Sequence, residues 1–345
     1  MDIQKKVAIG TINCYLTPQL RSQWLAMAEK VAIRKTKAVE NYILAIGGGK
    51  GGTGKSLITA SMGICLASRG NEVLLIDADL GTANLHTLLG LDPPQTGLSD
   101  FLAKKKSHIN GVIVKTGINN LKLISGAKDI IGMANLSYGQ KRKILTNIKK
   151  LNYSYILVDL GPGTSFNTLD FFLISHCGIL ITSPEPTSIE NTYRFARSLL
   201  FRYLRNMISQ KVVKSMIDKG VMQRDGHKFY SVFDLLEAIE KIEPELGDSI
   251  ASYLSSLDIK LIVNQARTTR DRAIGQKMAL AARKYFGIPI DFLGNVSYDN
   301  NVRRGVLQRK PLMDYFPHSK AFEEIIEISQ KMLPTYQLGL DFSTR

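Results

Sequence analysis

Six glycines, two lysines, a threonine and a serine make up the run Gly47-Gly48-Gly49-Lys50-Gly51-Gly52-Thr53-Gly54-Lys55-Ser56. From Gly49 onward the spacing is that of a phosphate-holding loop, four free positions followed by Gly-Lys-Ser. Glycine is needed because successive backbone N–H groups must turn inward and let phosphate oxygens approach closely. Gly49, Gly51, Gly52, Thr53 and Gly54 are therefore expected to line the cradle. Lys55 is expected to reach the β- and γ-phosphates of a nucleotide, and Ser56 to give its hydroxyl to Mg2+. Lys50 stands apart, a second lysine at a position that the generic motif leaves free. Downstream, Asp77 and Asp79 close an apolar run, where a carboxylate is costly unless a cation or a water network receives it. A magnesium nucleotide supplies that cation.

These groups need a rigid frame, and the residues around them describe one. From Asn41 the chain alternates short β-branched runs with helical periods, the pattern of successive βαβ units. The spacing predicts strands over Tyr42–Ile46, Val73–Ile76, Leu121–Ser125, Tyr155–Val158, Gly178–Thr182, Lys260–Val263 and Ile290–Leu293, nearly all apolar on both faces as buried parallel strands are. The expected fold class is α/β, a mostly parallel central sheet with helices on both faces. The loop follows the first strand and precedes the helical run Leu57–Ser68, the context its motif requires.

Two pieces stand outside this unit: residues 1–40, read as an N-terminal extension, and a helical insertion at about 206–257 within the domain 41–345. In the extension, Thr17-Pro18 reads as a helix start, and Leu20, Trp24, Met27 and Val31 form an apolar stripe beside Arg21, Lys30, Arg34, Lys35 and Lys37. That composition suits packing on the domain, an interfacial helix or a partner groove. Against 30 acidic residues the chain carries 45 basic ones, a net charge of +15 that favours polyanionic partners. No apolar run reaches the ~20 residues of a membrane span and no secretory signal is visible, so a cytoplasmic location is the expectation. Cys14, Cys65 and Cys177 form no Cys-x-x-Cys pair, which argues against disulfides and against an iron–sulfur cluster.

Lys50-Gly51-Gly52-Thr53-Gly54-Lys55-Ser56 resembles the deviant Walker A motif of the MinD/ParA ATPases, a branch of the P-loop NTPases. The resemblance continues in Leu74-Leu75-Ile76-Asp77-Ala78-Asp79-Leu80-Gly81, in Val158-Asp159-Leu160-Gly161-Pro162-Gly163, in Pro184-Glu185 and in Ile262-Val263-Asn264, covering about residues 42–335. It implies an ATP/ADP site with Mg2+, and a Lys50 that crosses an ATP-dependent homodimer to the partner's phosphates. It also implies that Asp79 orients the attacking water, that Asp77 supports the metal shell, and that Asp159 contacts Mg2+ through water. Asn264 resembles the family's adenine-reading asparagine, although an asparagine there also reads as structural. Within the family, Ile76-Asp77-Ala78-Asp79-Leu80-Gly81-Thr82-Ala83-Asn84-Leu85-His86 and the stretch Leu293–Asp299 resemble the flagellar-number regulators FlhG and FleN, with Ser297 where the family usually has proline.

The implied activity is slow hydrolysis of ATP in a dimerising switch that sets the position or number of a cellular machine, flagella being one candidate. A regulatory scaffold with negligible hydrolysis and a ParA-like DNA-binding ATPase are the alternatives. A protein activator is expected. Arg194, Arg197, Arg202 and Arg205 share one sector of the helix after Pro186, with Lys211, Lys214 and Lys219 beyond. That sector reads either as a surface for DNA or membrane lipid, at the nucleoid or the inner membrane, or as a solvated or salt-bridged face. Thr187-x-x-Glu190 has the form of a capping box. The last helix, with Glu323, Glu324 and Glu327, is too acidic to seek anionic lipid.

Overall fold

A computed structural model describes residues 41–126, 136–207, 249–312 apart from 251 and 255, and 318–332. The N-terminal extension, residues 208–248 of the insertion, and with them the Trp24 stripe and Lys211, Lys214 and Lys219, lie outside the described residues. By its contacts the chain divides into two units. The larger takes its described residues from 40–202, 259–278 and 291–345, and the smaller from 203–258 and 279–290. In the smaller unit the rings of Tyr203 and Tyr253 stack, and the Ile288 N–H donates to the Ala282 carbonyl at 3.2 Å.

The predicted strands form as β1 (Tyr42–Gly47), β2 (Val73–Asp77), β4 (Leu121–Ile124), β5 (Tyr155–Asp159), β6 (Cys177–Thr182), β7 (Ile259–Ala266) and β8 (Ile290–Ser297). A further strand, β3 (Ile113–Lys115), was not expected. The sheet order is β3-β4-β2-β5-β1-β6-β7-β8. The pairings β1–β5, β1–β6, β2–β4, β2–β5 and β6–β7 are parallel, as continuous apolar runs demand. β3 is antiparallel to β4 and caps that edge. Chain order reverses about β1, with β5 and β2 to one side and β6 and β7 to the other, so the ligand crevice belongs at the carboxyl ends of these strands.

Both faces of the sheet are covered. On one, Leu44, Ile46, Leu75, Leu157 and Ile179 pack with Ile58 and Met62 of α1 (Lys55–Ala67) and with Ile325 and Ile328 of a C-terminal helix (Lys320–Lys331). On the other, Phe172 and Phe195 meet edge to face with centroids 5.2 Å apart, and a Cβ at Gly47 would lie 3.1 Å from both rings. These residues come from the helices Phe166–Leu173 and Pro186–Met207.

The acidic C-terminal helix is not acidic all round. Glu324 turns inward, accepting from Arg272 at 2.8 Å and from the Ser297 N–H at 2.5 Å and hydroxyl at 3.0 Å. Here the departure from proline gains a physical reason, because proline has no N–H to give. Ser297→Pro is expected to lower stability by about 2 kcal/mol, the worth of a hydrogen bond to a charged group, measured by urea unfolding. A change below 0.5 kcal/mol would show that the Glu324 contact contributes little.

Candidate active site

β1 delivers its chain directly into the glycine loop, and α1 begins at Lys55 with Gly54 as its N-cap in the left-handed region at φ 89°. The loop is held close to its surroundings. A Cβ at Gly49 would sit 2.1 Å from the backbone carbonyl oxygen of Asn191, so only glycine fits against the helix Pro186–Met207. The Gly163 N–H donates to the Gly48 carbonyl at 3.3 Å, tying the loop after β5 to the glycine loop. Thr53 and Lys55 are buried although polar, at 2 % and 6 % exposed. The Thr53 hydroxyl has no hydrogen-bond partner among the described residues, and the Lys55 ammonium donates to the Lys50 carbonyl at 3.1 Å.

Asp77 and Asp159 lie opposite each other in the register of β2 and β5, at the same edge as the loop. Both are 1 % exposed. Burial first, then the charge of Asp159, pushes Asp77 up to about 8. Burial raises Asp159 to about 6, against the pull of the Ser56 and Thr59 hydroxyls and of Lys55. Lys55 is lowered by burial, with Asp159 and Asp79 working against that shift. Such a cluster has more buried negative charge than it can hold comfortably, and the glycine loop at the same sheet edge carries a buried hydroxyl without a partner among the described residues. That set fits a magnesium-bound polyphosphate. Among the described residues no group of three His, Cys, Asp or Glu side chains could hold a metal by itself. An ion here would draw its remaining ligands from phosphate and water.

The remaining expected residues take distinct places. The Asp77 carboxylate accepts from the Asp79 N–H at 3.2 Å and the Leu85 N–H at 3.0 Å, fixing the loop between them. Asp79 accepts from the Thr82 N–H at 3.2 Å and hydroxyl at 3.0 Å, while a Cβ at Gly161 would lie 3.2 Å from its carboxylate, so it borders the loop after β5. Lys50 pairs within its own chain, with Glu185 at 2.5 Å and Thr187 at 3.1 Å. Asn264 is 4 % exposed, its amide nitrogen 2.7 Å from the Thr53 carbonyl and its oxygen accepting from the Gln265 N–H at 2.9 Å. An amide so engaged is directed into the glycine loop, with one N–H and one oxygen lone pair left over.

Several participants were not singled out from the sequence. Thr59, fully buried, places its one hydroxyl hydrogen between Asp159 at 3.1 Å and the Lys55 carbonyl of its own helix at 2.9 Å. Its signal was a polar residue one helical turn after Lys55 and Ser56, on the face the helix turns to the sheet. Gln265 reaches the Gly52 carbonyl at 3.1 Å. The capping-box expectation needs correction. The helix begins at Pro186, one residue before Thr187, and Thr187 and Glu190 are spent on Lys50 and on Arg194 at 2.6 Å. The arginine sector is likewise not a uniform surface. Arg202 turns inward and grips Asp170 with two bonds of 2.7 Å, and Arg194 is paired with Glu190. Among the described residues no helix is long and apolar enough to cross a membrane.

Comparison with known proteins agrees with this geometry. A family model described as an AAA domain matches residues 41–210. The chain is 30 % identical to a putative septum site-determining protein MinD of Tupiella akineta, covering 83 % of this chain and 85 % of that protein. It is 24 % identical to the antiactivator FleN of Pseudomonas aeruginosa, over 84 % of this chain and 85 % of the relative. Among solved structures, the septum site-determining protein MinD of Pyrococcus horikoshii complexed with Mg-ADP shares the fold. There the TM-score is 0.58 at 23 % identity, over 88 % of this chain and all of the other.

Proposed function

The chain belongs to the MinD/ParA family of P-loop ATPases, and from that premise we propose that it is an ATP-dependent dimerising switch that hydrolyses ATP slowly. The state of the switch controls the position or number of a cellular machine. The likeness to FleN favours flagella among the candidates. The single observation that carries this reading is the pairing of two features. One is a glycine loop in which Thr53 and Lys55 are both buried, the Thr53 hydroxyl with no partner among the described residues. The other is a sheet edge where burial raises both Asp77 and Asp159.

In this reading the backbone N–H groups of Gly49, Gly51, Gly52, Thr53 and Gly54 cradle the phosphates, and Lys55 neutralises their terminal charge. Ser56 and Asp159 would hold Mg2+, Ser56 by its hydroxyl and Asp159 through water. When bound, that ion neutralises charge on the phosphate oxygens and orients them. Asp79 orients the attacking water, and Asp77 keeps the loop that carries Asp79 in shape. Gly163, in the left-handed region at φ 88°, lets the loop after β5 change conformation when the terminal phosphate leaves. Lys50 crosses to the partner's phosphates in the dimer. Positioning and charge stabilisation then supply most of the catalysis, which suits a timer better than a metabolic enzyme. A protein activator accelerates it, and the dimer presents a face that partners read.

A nucleotide-bound scaffold with negligible hydrolysis is the competing reading. Molar mass in solution, measured by light scattering with no nucleotide, ADP and MgATP, separates the two. The mass is expected to double with MgATP only, and the doubling to persist in Asp79→Ala, which binds but does not turn over. A mass independent of nucleotide would overturn the switch and leave the scaffold. The ParA-like alternative loses support from Arg202, which is turned inward onto Asp170. It would be revived by duplex DNA binding whose affinity falls steeply with salt.

A further inference from the structure

The end of β7 approaches the glycine loop in a way that phosphate binding alone does not explain. Three consecutive residues of the strand are each tied down. The buried Asn264 amide donates to the Thr53 carbonyl at 2.7 Å. The Gln265 amide donates to the Gly52 carbonyl at 3.1 Å. The Ala266 carbonyl accepts from the Tyr298 N–H at 2.9 Å, which anchors the strand from the far side. Between these ties Gln265 adopts φ 62°, a left-handed conformation unusual for a residue with a side chain and sustained only where the surroundings impose it. The approach is close enough to dictate the loop's own sequence. A Cβ at Gly54 would lie 2.2 Å from the Asn264 amide nitrogen, so Gly54 is needed for contact with Asn264 as well as for its φ of 89°.

We propose that Asn264 and Gln265 form a clamp that holds the carbonyls of Gly52 and Thr53 outward, so that the backbone N–H groups of the glycine loop are set for phosphate before it arrives. A peptide unit has its carbonyl and the following N–H on opposite sides. Fixing the carbonyls of Gly52 and Thr53 therefore orients the N–H groups of Thr53 and Gly54, two of the groups expected to face the anion. A glycine-rich loop is otherwise among the most costly segments to order, because glycine has the most conformational freedom to lose. Restraint from a rigid central strand removes that cost from binding. Asn264 and Gln265 are positioning residues in this role. The inference rests on the nucleotide reading given above.

The test is a comparison of ligands that share phosphates and differ in base. Affinities of MgATP, MgGTP and magnesium tripolyphosphate are measured by titration calorimetry for the wild type, Asn264→Ala and Gln265→Ala. A clamp predicts that Asn264→Ala weakens magnesium tripolyphosphate, which has no base to be read, by about tenfold, the loss of one well-placed buried hydrogen bond, and weakens the nucleotides at least as much. Gln265→Ala, at a half-buried position, is expected to weaken all of them by about threefold. Selective loss of ATP, with tripolyphosphate and GTP untouched, would overturn the clamp and make Asn264 a base reader, as would Gln265→Ala leaving every affinity unchanged. No binding of any of the ligands by the wild type would instead sink the nucleotide reading, and the clamp with it.

Discussion

Asp170→Asn is expected to destabilise the protein by about 3–5 kcal/mol, the penalty for leaving buried charge without its partner. Asp170 stands between two cations from other helices. Lys141 comes from the helix Tyr138–Ile148 and Arg202 from Pro186–Met207, and all three side chains are largely withdrawn from water, at 8 % exposed for Lys141, 9 % for Asp170 and 13 % for Arg202. Burial alone would raise Asp170. The hydrogen bonds from Arg202 and then Lys141 overcome it and hold the carboxyl below its usual range. A carboxyl depressed in the folded state contributes stability that is present above the ordinary carboxylate range and disappears as pH falls through the folded value. The gap between wild type and Asp170→Asn is therefore expected to be full at neutral pH and to close in acid. Thermal unfolding reads it as a drop of about 10 °C. Replacing Lys141, Asp170 and Arg202 together by Met, Leu and Met is expected to restore much of the loss, because no charge is then left unpaired. If Asp170→Asn melts within 2 °C of the wild type at neutral pH, water reaches the cluster and the buried-charge account fails.

That cluster also shows where the sequence was readable and where it was not. Apolar runs located the parallel strands because burial on both faces leaves little else a strand can be made of. β3, only three residues of Ile113-Val114-Lys115 at an edge, carries too short a pattern to separate from a loop. β7 extends to Ala266 and β8 to Ser297, past the point where their apolar runs stop. Asn264, Gln265 and Ser297 remain in the strands because each finds a hydrogen-bond partner far away in the chain. The glycine loop was legible because its spacing is itself the chemistry. Asp170 and Arg202 were not, since a charge on a helix looks the same from the sequence whether it faces water or a partner on another helix. The same limit applies to Glu324, which sits on a helix that reads as acidic and solvated yet is bound to Arg272 and Ser297. Thr187 and Glu190 matched a cap by spacing, but a tertiary contact to Lys50 claimed Thr187 and an i,i+4 pair with Arg194 within the helix claimed Glu190.

Lys50 gives the second large effect, and its present contacts determine what the variants should do. If Lys50 donates to the partner's phosphates in the ATP-bound dimer, it must first leave Glu185 and Thr187 of its own chain, which it holds at 2.5 and 3.1 Å. That pair is exposed, with 37 % of the Lys50 and 59 % of the Glu185 side chain open to water, so solvent screens it and a polyanion competes with it readily. The bond to Lys50, followed by its charge, keeps the Glu185 carboxyl below its ordinary range, so the pair is intact at neutral pH. Lys50→Ala is expected to weaken MgATP-driven dimerisation by about a hundredfold or more, since charge-assisted bonds to phosphate are lost at each of two symmetric sites. Nucleotide affinity of the monomer should change little, because Lys55 and the loop remain. Glu185→Gln is expected to act in the opposite direction: the lysine is released from its own chain, and the dimer forms at several-fold lower protein concentration with an unchanged melting temperature. Sedimentation of both variants across a range of protein concentrations in MgATP measures these shifts. Dimerisation that survives Lys50→Ala would remove the cross-dimer role. Loss of the dimer in Glu185→Gln would show that Glu185 is itself part of the interface and that its bond to Lys50 orders the lysine for the partner.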